Sequence, residues 1–507
     1  MESTKTRKRK VYRNVEELLD DLKSYGRYQK ILNIMLAILY VPASFQIMIM
    51  YFIAVQPKWR CLGNSSLCFS TKVHPSSNMS RCNIPRHHWE YVEPKDYSLI
   101  TDLDLDCGDE WLSDMALSIT YLGWAIGSLT LGYLANRIGR KKVIFLSTLM
   151  IIITVFVSAF VTNIYLFIVL RFVVGFFKSG NAYILYMLMG ECVNSEHRSF
   201  ASLIITLAYN TALVILGLKA YYIRKWRSLL IMCSVPYMFV LLFHFYVQES
   251  IRWLYLKGMN DRIVHVCSKI ADWNRVNDFN YDFLIVKTID SEVKTNPKEL
   301  FRSHAVTRRS IVLIYCWFMA TGLYYAFFNM ADDFGASMHI TFVLFALLEV
   351  PANMFGSWCM DRCGRKCTIS GSMLVGSFLS TAIAFVMIAT DSTSVRVLIG
   401  AIVQGCLVIA FNFLIPWTVE ILTTDIRSLG MGIFSAAGRT GGVMSPWIAN
   451  RLNLLHPVAP FLAVGILGCS TSYAMWCLPE TKGQQMKEVD DQENLPLLKT
   501  KGIVQKQ

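Results

Sequence analysis

The chain has 507 residues, of which 54% are hydrophobic and only 17% charged, with a mean hydropathy of +0.40. That balance disfavours a cytosolic enzyme and points to a chain whose solvent is largely lipid. The formal net charge of +13 does not call for nucleic acid, because the basic residues sit in loops flanking apolar segments, where anionic lipid accounts for them.

Residues 1–30 form a basic N-terminus carrying Lys5, Arg7, Lys8, Arg9, Lys10 and Arg13. The apolar stretch that follows, 31–55, lacks a small-residue cleavage site and reads as a retained helix rather than a signal peptide. Stretches long enough to cross a hydrocarbon core of ~30 Å as helix recur at 115–135, 143–161, 164–189, 203–223 and 229–247. A second set lies at 310–328, 340–359, 368–390, 395–417, 430–449 and 458–477. The expected fold is therefore an all-α membrane protein of twelve transmembrane helices. A six-helix bundle over 31–247 is joined by a charged loop, 248–309, to a second bundle over 310–478, with a polar tail at 479–507.

The N-terminus, the Arg137–Lys142 cluster and the cluster of Arg362, Arg365 and Lys366 all fall on one side, which the positive-inside rule makes the cytoplasm, and both termini lie there. The loop 56–112 falls on the other side. It holds Cys61, Cys68, Cys82 and Cys107 and the glycosylation sequons at Asn64 and Asn78. In an oxidising compartment the four cysteines are expected to form two disulfides, with three pairings open. The other ten cysteines show no metal-ligand spacing and read as small core hydrophobes. In the tail, Glu493, Leu497 and Leu498 make an acidic dileucine pattern of the kind clathrin adaptors read, so a plasma-membrane protein with endosomal cycling is expected.

The two sets of spans are copies. Arg137, Gly139, Arg140 and Lys141 recur as Arg362, Gly364, Arg365 and Lys366; Arg171 and Gly175 recur as Arg396 and Gly400; Glu191 and Arg198 recur as Glu420 and Arg427; Glu249 recurs as Glu480. Parallel duplication of a six-helix unit gives two pseudo-symmetric halves that rock about a site near the bilayer midplane.

The motifs NRIGRK, DRCGRK, RFVVG, ESIRW and PETKG resemble the major facilitator superfamily. The cysteine-bearing first loop, WFMATGLYY, FALLEVPAN, AFNFLIPWTVE and GMGIFSAAGRTGGVMSP look like its organic anion, cation and carnitine transporter family, over roughly residues 24–483. The resemblance implies the major facilitator fold and secondary transport of small organic ions by alternating access.

Arg137, Arg140 and Lys141 are expected to pair with carboxylates of the neighbouring bundle such as Glu191 and Glu420, closing the cytoplasmic side. Gly139, Arg198, Asp361, Arg362, Arg365 and Arg427 complete this gating set. Asn136 stands where the second copy has Asp361, which weakens the first latch, and Ile251 replaces the proline usual in the family.

Ionisable residues at membrane depth are functional candidates: Lys178, Lys219, Glu349 and Arg439. Arg439, among Gly438, Gly441 and Gly442, has no neighbouring acid in sequence and suits a carboxylate or sulfonate. By resemblance, arginine here marks carriers of organic anions and carnitine-type zwitterions, where cation carriers have aspartate. The structural alternative is a standing pair with Glu349. Asn353 replaces a lysine of the organic anion transporters. Lys178 adds positive potential, and Lys219 is expected to reach for the outer surface. Tyr221, Trp317, Tyr324, Tyr325 and Phe411 match the family's aromatic pocket.

The expected function is transport of organic anions. The alternatives are a carrier of zwitterions or organic cations, marked by dependence on Glu349, and a non-transporting receptor that kept the fold. No Walker motif, βαβ unit or metal-ligand cluster is visible, so neither cofactor nor metal is expected. An exchange substrate or coupling ion is expected to drive transport.

Overall fold

A computed structural model describes residues 10–12, 15–62, 85–105, 108–276, 283–285, 303–390, 392–422 and 426–483. Asn64, Asn78, Cys68, Cys82, Cys107, Glu493, Leu497 and Leu498 lie outside the described residues, as do the side chains of Arg198 and Arg427. The first half comprises α1 (Arg27–Ile53), α2 (Trp111–Ile138), α3 (Arg140–Ser158), α4 (Ile164–Ser179, continued by a π turn at Gly180–Ile184 and a helix at Leu185–Cys192), α5 (Ser195–Tyr222) and α6 (Trp226–Val240). The second comprises α7 (His304–Asn329), α8 (Met338–Cys363), α9 (Arg365–Ala389), α10 (Thr393–Ile421), α11 (Arg427–Val443) and α12 (Ala459–Trp476).

Among the described residues, eleven helices are long and apolar enough to span a membrane. The remaining one is α11. The expected continuous span 430–449 instead breaks after Val443 and resumes as a π turn at Trp447–Arg451 and a short helix at Leu452–Leu455. Pro446 supplies the reason: it has no N–H to give the helix ladder, and the chain rewinds with looser bonding beyond it.

The twelve helices form a bundle of two related halves. In the first, α2 packs on α4, α1 on α5 and α3 on α6; in the second, α8 packs on α10, α7 on α11 and α9 on α12. The halves meet where α2 lies against α11 and α5 against α8, so each cross-contact is the symmetry image of the other. Residues 248–309, expected as a loop, contain helices at Ile251–Leu256 and Asn260–Asn274 packed beneath the first half. Asn274 there accepts from the Tyr28 amide at 2.8 Å and donates to Gln29 Oε1 at 3.1 Å, pinning the start of α1. A strand at Lys10–Tyr12 pairs in parallel with Phe283–Ile285.

Two glycines set how closely these helices approach. A Cβ on Gly175 of α4 would collide with the Thr120 carbonyl oxygen of α2, and one on Gly441 of α11 with the Phe318 carbonyl oxygen of α7. Gly132, by contrast, faces open space. Small residues at such crossings let backbones touch where no hydrophobic effect drives association. Gly175→Ala and Gly441→Ala are therefore expected to cost about 1–3 kcal/mol each by overpacking. Thermal unfolding in detergent should show a lowered midpoint for both and none for Gly132→Ala.

Candidate functional site

The two ends of the bundle differ. At the end bearing the 54–110 connection, the halves are bonded directly. Asp114, in the first turn of α2 and 4% exposed by side chain, pairs with Arg451 at 2.7 Å and accepts from Asn450 at 2.6 Å. Ser118 donates to the Val443 carbonyl at 2.8 Å and accepts from the Trp447 indole at 3.0 Å. The π turn beyond Pro446 is what carries Trp447, Asn450 and Arg451 toward α2. Within the same connection, Cys61 is disulfide-bonded, while among the described residues ten other cysteines are free.

At the opposite, basic end the expected cross-bundle pairs are not formed. Arg140 lies on Glu191, with bonds of 3.1 and 3.0 Å, but both belong to the first half. Arg365 lies on Glu420 at 3.0 to 3.2 Å within the second. Glu420 is thus occupied by its own bundle's arginine and is not available to Arg140.

Each arginine belongs to a repeated clamp. Gly139 and Gly364 turn the chain at φ +109° and +90°, where a side chain would meet Glu249 and Glu480. Glu249 accepts from the Arg140 and Lys141 amides at 2.9 and 3.3 Å, and Glu480 accepts from Arg365 and Lys366 at 3.0 and 2.9 Å. The two carboxylates cap α3 and α9 where unpaired amides concentrate. Burial works to raise the Glu480 carboxyl, but the amides of Lys482, Arg365, Lys366 and Thr481 outweigh it and hold the group below its ordinary range. Arg137, Asn136, Asp361 and Arg362 are exposed. Asp361 makes no ion pair among the described residues, so the contrast with Asn136 leaves no visible difference in latching.

Where the halves meet, aromatic side chains from both converge. Tyr324 and Phe411 stack at 5.1 Å and 16°, Tyr324 meets Tyr325 edge-on at 5.0 Å, and Tyr325 lies 4.8 Å from Tyr121 of the first half. Tyr51 bonds Tyr121 at 3.1 Å and donates to the Tyr325 carbonyl at 3.2 Å. Trp317, about two turns along α7 from Tyr324, donates to Thr418 at 3.0 Å and borders Gly438, next to Arg439.

The charges divide into two groups. Glu349, 1% exposed, accepts at one oxygen from Tyr324 (2.7 Å) and Gln404 (3.2 Å); its other oxygen has no partner among the described residues. Arg439 does not pair with it. The guanidinium carbon lies 3.8 Å from the ring centroid of Trp124 on α2, and Lys178 of α4, 3% exposed, lies 4.6 Å from the same centroid. Among the described residues neither cation has a carboxylate partner. Two basic side chains, one from each half, thus share one indole, whose ring offers quadrupolar attraction but no neutralising charge.

Asn353 is bonded to Asn412 at 2.9 Å on the second half. Tyr221 is not part of the cluster. It sits at the far end of α5, 45% exposed and 5.9 Å from His339. Lys219 does not extend to the outer surface; it folds onto the Met232 carbonyl at 3.2 Å and over Phe45 at 4.9 Å. Sequence reading missed Trp124, Gln404, Asp114 and Arg451. Gln404 was findable as a polar residue in mid-span, and Asp114 and Arg451 as opposite charges at span ends. Nothing in sequence marks Trp124 among the twelve tryptophans. No described group of His, Cys, Asp or Glu is placed to hold a metal.

The Asp114–Arg451 bond must part for the first-loop end to open, and removing Arg451 strands the buried carboxylate of Asp114. In a Ser118→Cys background, Arg451→Ala should raise the rate of labelling by a membrane-impermeant maleimide several-fold.

Comparison with known proteins agrees with this architecture. Residues 68–492 match the sugar (and other) transporter family. The chain is 30% identical to organic anion transporter 3 of Homo sapiens over 81% of its own length and 76% of that protein's. It is 27% identical to solute carrier family 22 member 3 of Rattus norvegicus over 80% and 74%. Among solved structures, an inward-open form of the xylose transporter XylE from E. coli superposes with a TM-score of 0.63, at 13% identity, over 91% of this chain and 98% of that one.

Proposed function

From the premise that this chain belongs to the sugar (and other) transporter family of major facilitators, with solute carrier family 22 proteins among its relatives, we propose that its cargo is a small organic anion. It is a membrane transporter rather than an enzyme, so the question is what occupies the central site. The observation that carries the reading is the Lys178–Trp124–Arg439 cluster. A carboxylate or sulfonate entering there neutralises both cations at once, and the guanidinium offers it paired donors. Tyr324, Tyr325 and Phe411 present rings to an apolar body of varied shape. The printed name of organic anion transporter 3 agrees with this class.

Alternating access follows from the two ends. Arg140–Glu191 and Arg365–Glu420 hold each half rigid at the basic end, and Asp114–Arg451 and Ser118 hold the halves together at the other. An anion seated between Lys178 and Arg439 touches both halves, so its binding energy differs between the two rocking states. The basic loops favour the cytoplasm for their end and for both termini. The sequons at Asn64 and Asn78 favour the outside for the first loop, in a plasma-membrane protein sorted by way of Glu493, Leu497 and Leu498.

One observation favours a second reading. The unpartnered oxygen of Glu349 beside the tyrosine cluster suits the cationic end of a carnitine-type zwitterion. Uptake of a labelled organic anion, a labelled zwitterion and a labelled cation by cells expressing the full chain separates these. Arg439→Ala and Lys178→Ala are each expected to reduce anion uptake by more than about tenfold, the loss of a charge-assisted contact. Glu349→Gln should spare the anion and abolish the zwitterion. Cation uptake indifferent to Arg439→Ala would overturn the assignment of charge, and ligand binding without uptake would make the protein a receptor.

A further inference from the structure

We propose that the basic end of the second half is a site of S-acylation by a long-chain fatty acid, at Cys363, Cys367 and Cys477. This rests on the reading that the basic end faces the cytoplasm, where acyl-CoA is found.

Three of the ten free cysteines are exposed, and all three lie at this one end. Cys363 is the last residue of α8, Cys367 lies in the first turn of α9 across the Gly364 bend, and Cys477 follows the last residue of α12. The three form one patch. Lys366, beside Cys367, lies 4.7 Å from the ring of Trp476, beside Cys477, and Glu480 binds the amides of Arg365 and Lys366, holding the end of α12 against the start of α9.

The surroundings suit a lipid anchor. Along the same ends run exposed aromatics, Phe355 and Trp358 on α8 and Tyr473 and Trp476 on α12, a pattern that belongs at a membrane–water boundary. Arg362, Lys366 and Lys482 add positive charge that attracts an anionic leaflet. A thiol at this height stands at the interface, where an acyl chain attached to it enters hydrocarbon directly. The exposed thiols have no other assigned work: they are not disulfide-bonded, hold no described metal-ligand geometry and lie outside the central site. The first half shows nothing equivalent, since Ile138 and Lys142 stand at the repeat positions of Cys363 and Cys367.

The step is a thioester exchange. The cysteine sulfur attacks the carbonyl carbon of an acyl-CoA; the new sulfur–carbon bond forms as the bond to the CoA sulfur breaks, and the CoA thiolate takes up the proton the cysteine has lost. Nothing is oxidised or reduced. The acyl chains would tie the α8–α9 bend and the end of α12 to the leaflet, leaving the first half free to rock against an anchored second half.

The test uses the full chain in cells, with free thiols blocked, thioesters cleaved by hydroxylamine and released thiols tagged with a polymer maleimide. Wild type should show a hydroxylamine-dependent mass shift. Cys363→Ser, Cys367→Ser and Cys477→Ser should each lose one step of the ladder, and the triple variant all of it. The single variants keep the reading intact should the triple variant fold poorly. A wild-type chain without the shift, or a shift undiminished in every variant, would overturn the proposal. Labelling of these thiols by an impermeant maleimide on intact cells would overturn it by a separate route, through the sidedness on which it rests.

Discussion

A basic side chain at membrane depth is costly unless something pairs it, and among the described residues Lys178 and Arg439 have no carboxylate partner and share one indole ring. Their placement at the seam gives that deficit a mechanical meaning. Lys178 belongs to the first half and Arg439 to the second, so an anion seated between them, as proposed, would touch both halves at once. The bonds at the first-loop end, Asp114 to Arg451 and Ser118 to Val443 and Trp447, set against this a closed state on one side.

The duplicated motifs do a different task from the one their charges suggest. Arg140 and Arg365 are locked to Glu191 and Glu420 within their own halves, and Glu249 and Glu480 cap the helices that carry them. Such pairs make each half a rigid lever at the end where they lie, and rigid levers are what a rocking cycle requires. Each half carries its own copy of the clamp.

Much of this was legible in the sequence. Eleven of the twelve expected spans follow from hydropathy because a backbone in lipid must bond internally, and the repeat offsets expose two halves before any contact is known. Arg439, Lys178, Glu349, Tyr324 and Tyr325 stood out as charges at depth or as matches to a family pattern. What sequence did not show is pairing across space. Arg140 is expected from sequence to reach the neighbouring bundle, but its partner Glu191 lies in its own half, and Tyr221 matches a family pattern yet stands at the exposed far end of α5. Trp124 is silent in sequence because an aromatic in a membrane helix is ordinary. The break in α11 was foreshadowed by Pro446, yet its consequence, turning Arg451 onto Asp114, depends on the distant helix it meets.

The most direct measurement is a double-mutant cycle on anion transport, comparing kcat/KM for wild type, Lys178→Met, Arg439→Met and the double variant. If one anionic group sits between the two cations, their effects are coupled by about 0.5–3 kcal/mol, and the double variant falls little below the worse single one. Strictly additive losses would mean that Lys178 and Arg439 act on separate charges, and the shared site at Trp124 would have to be abandoned.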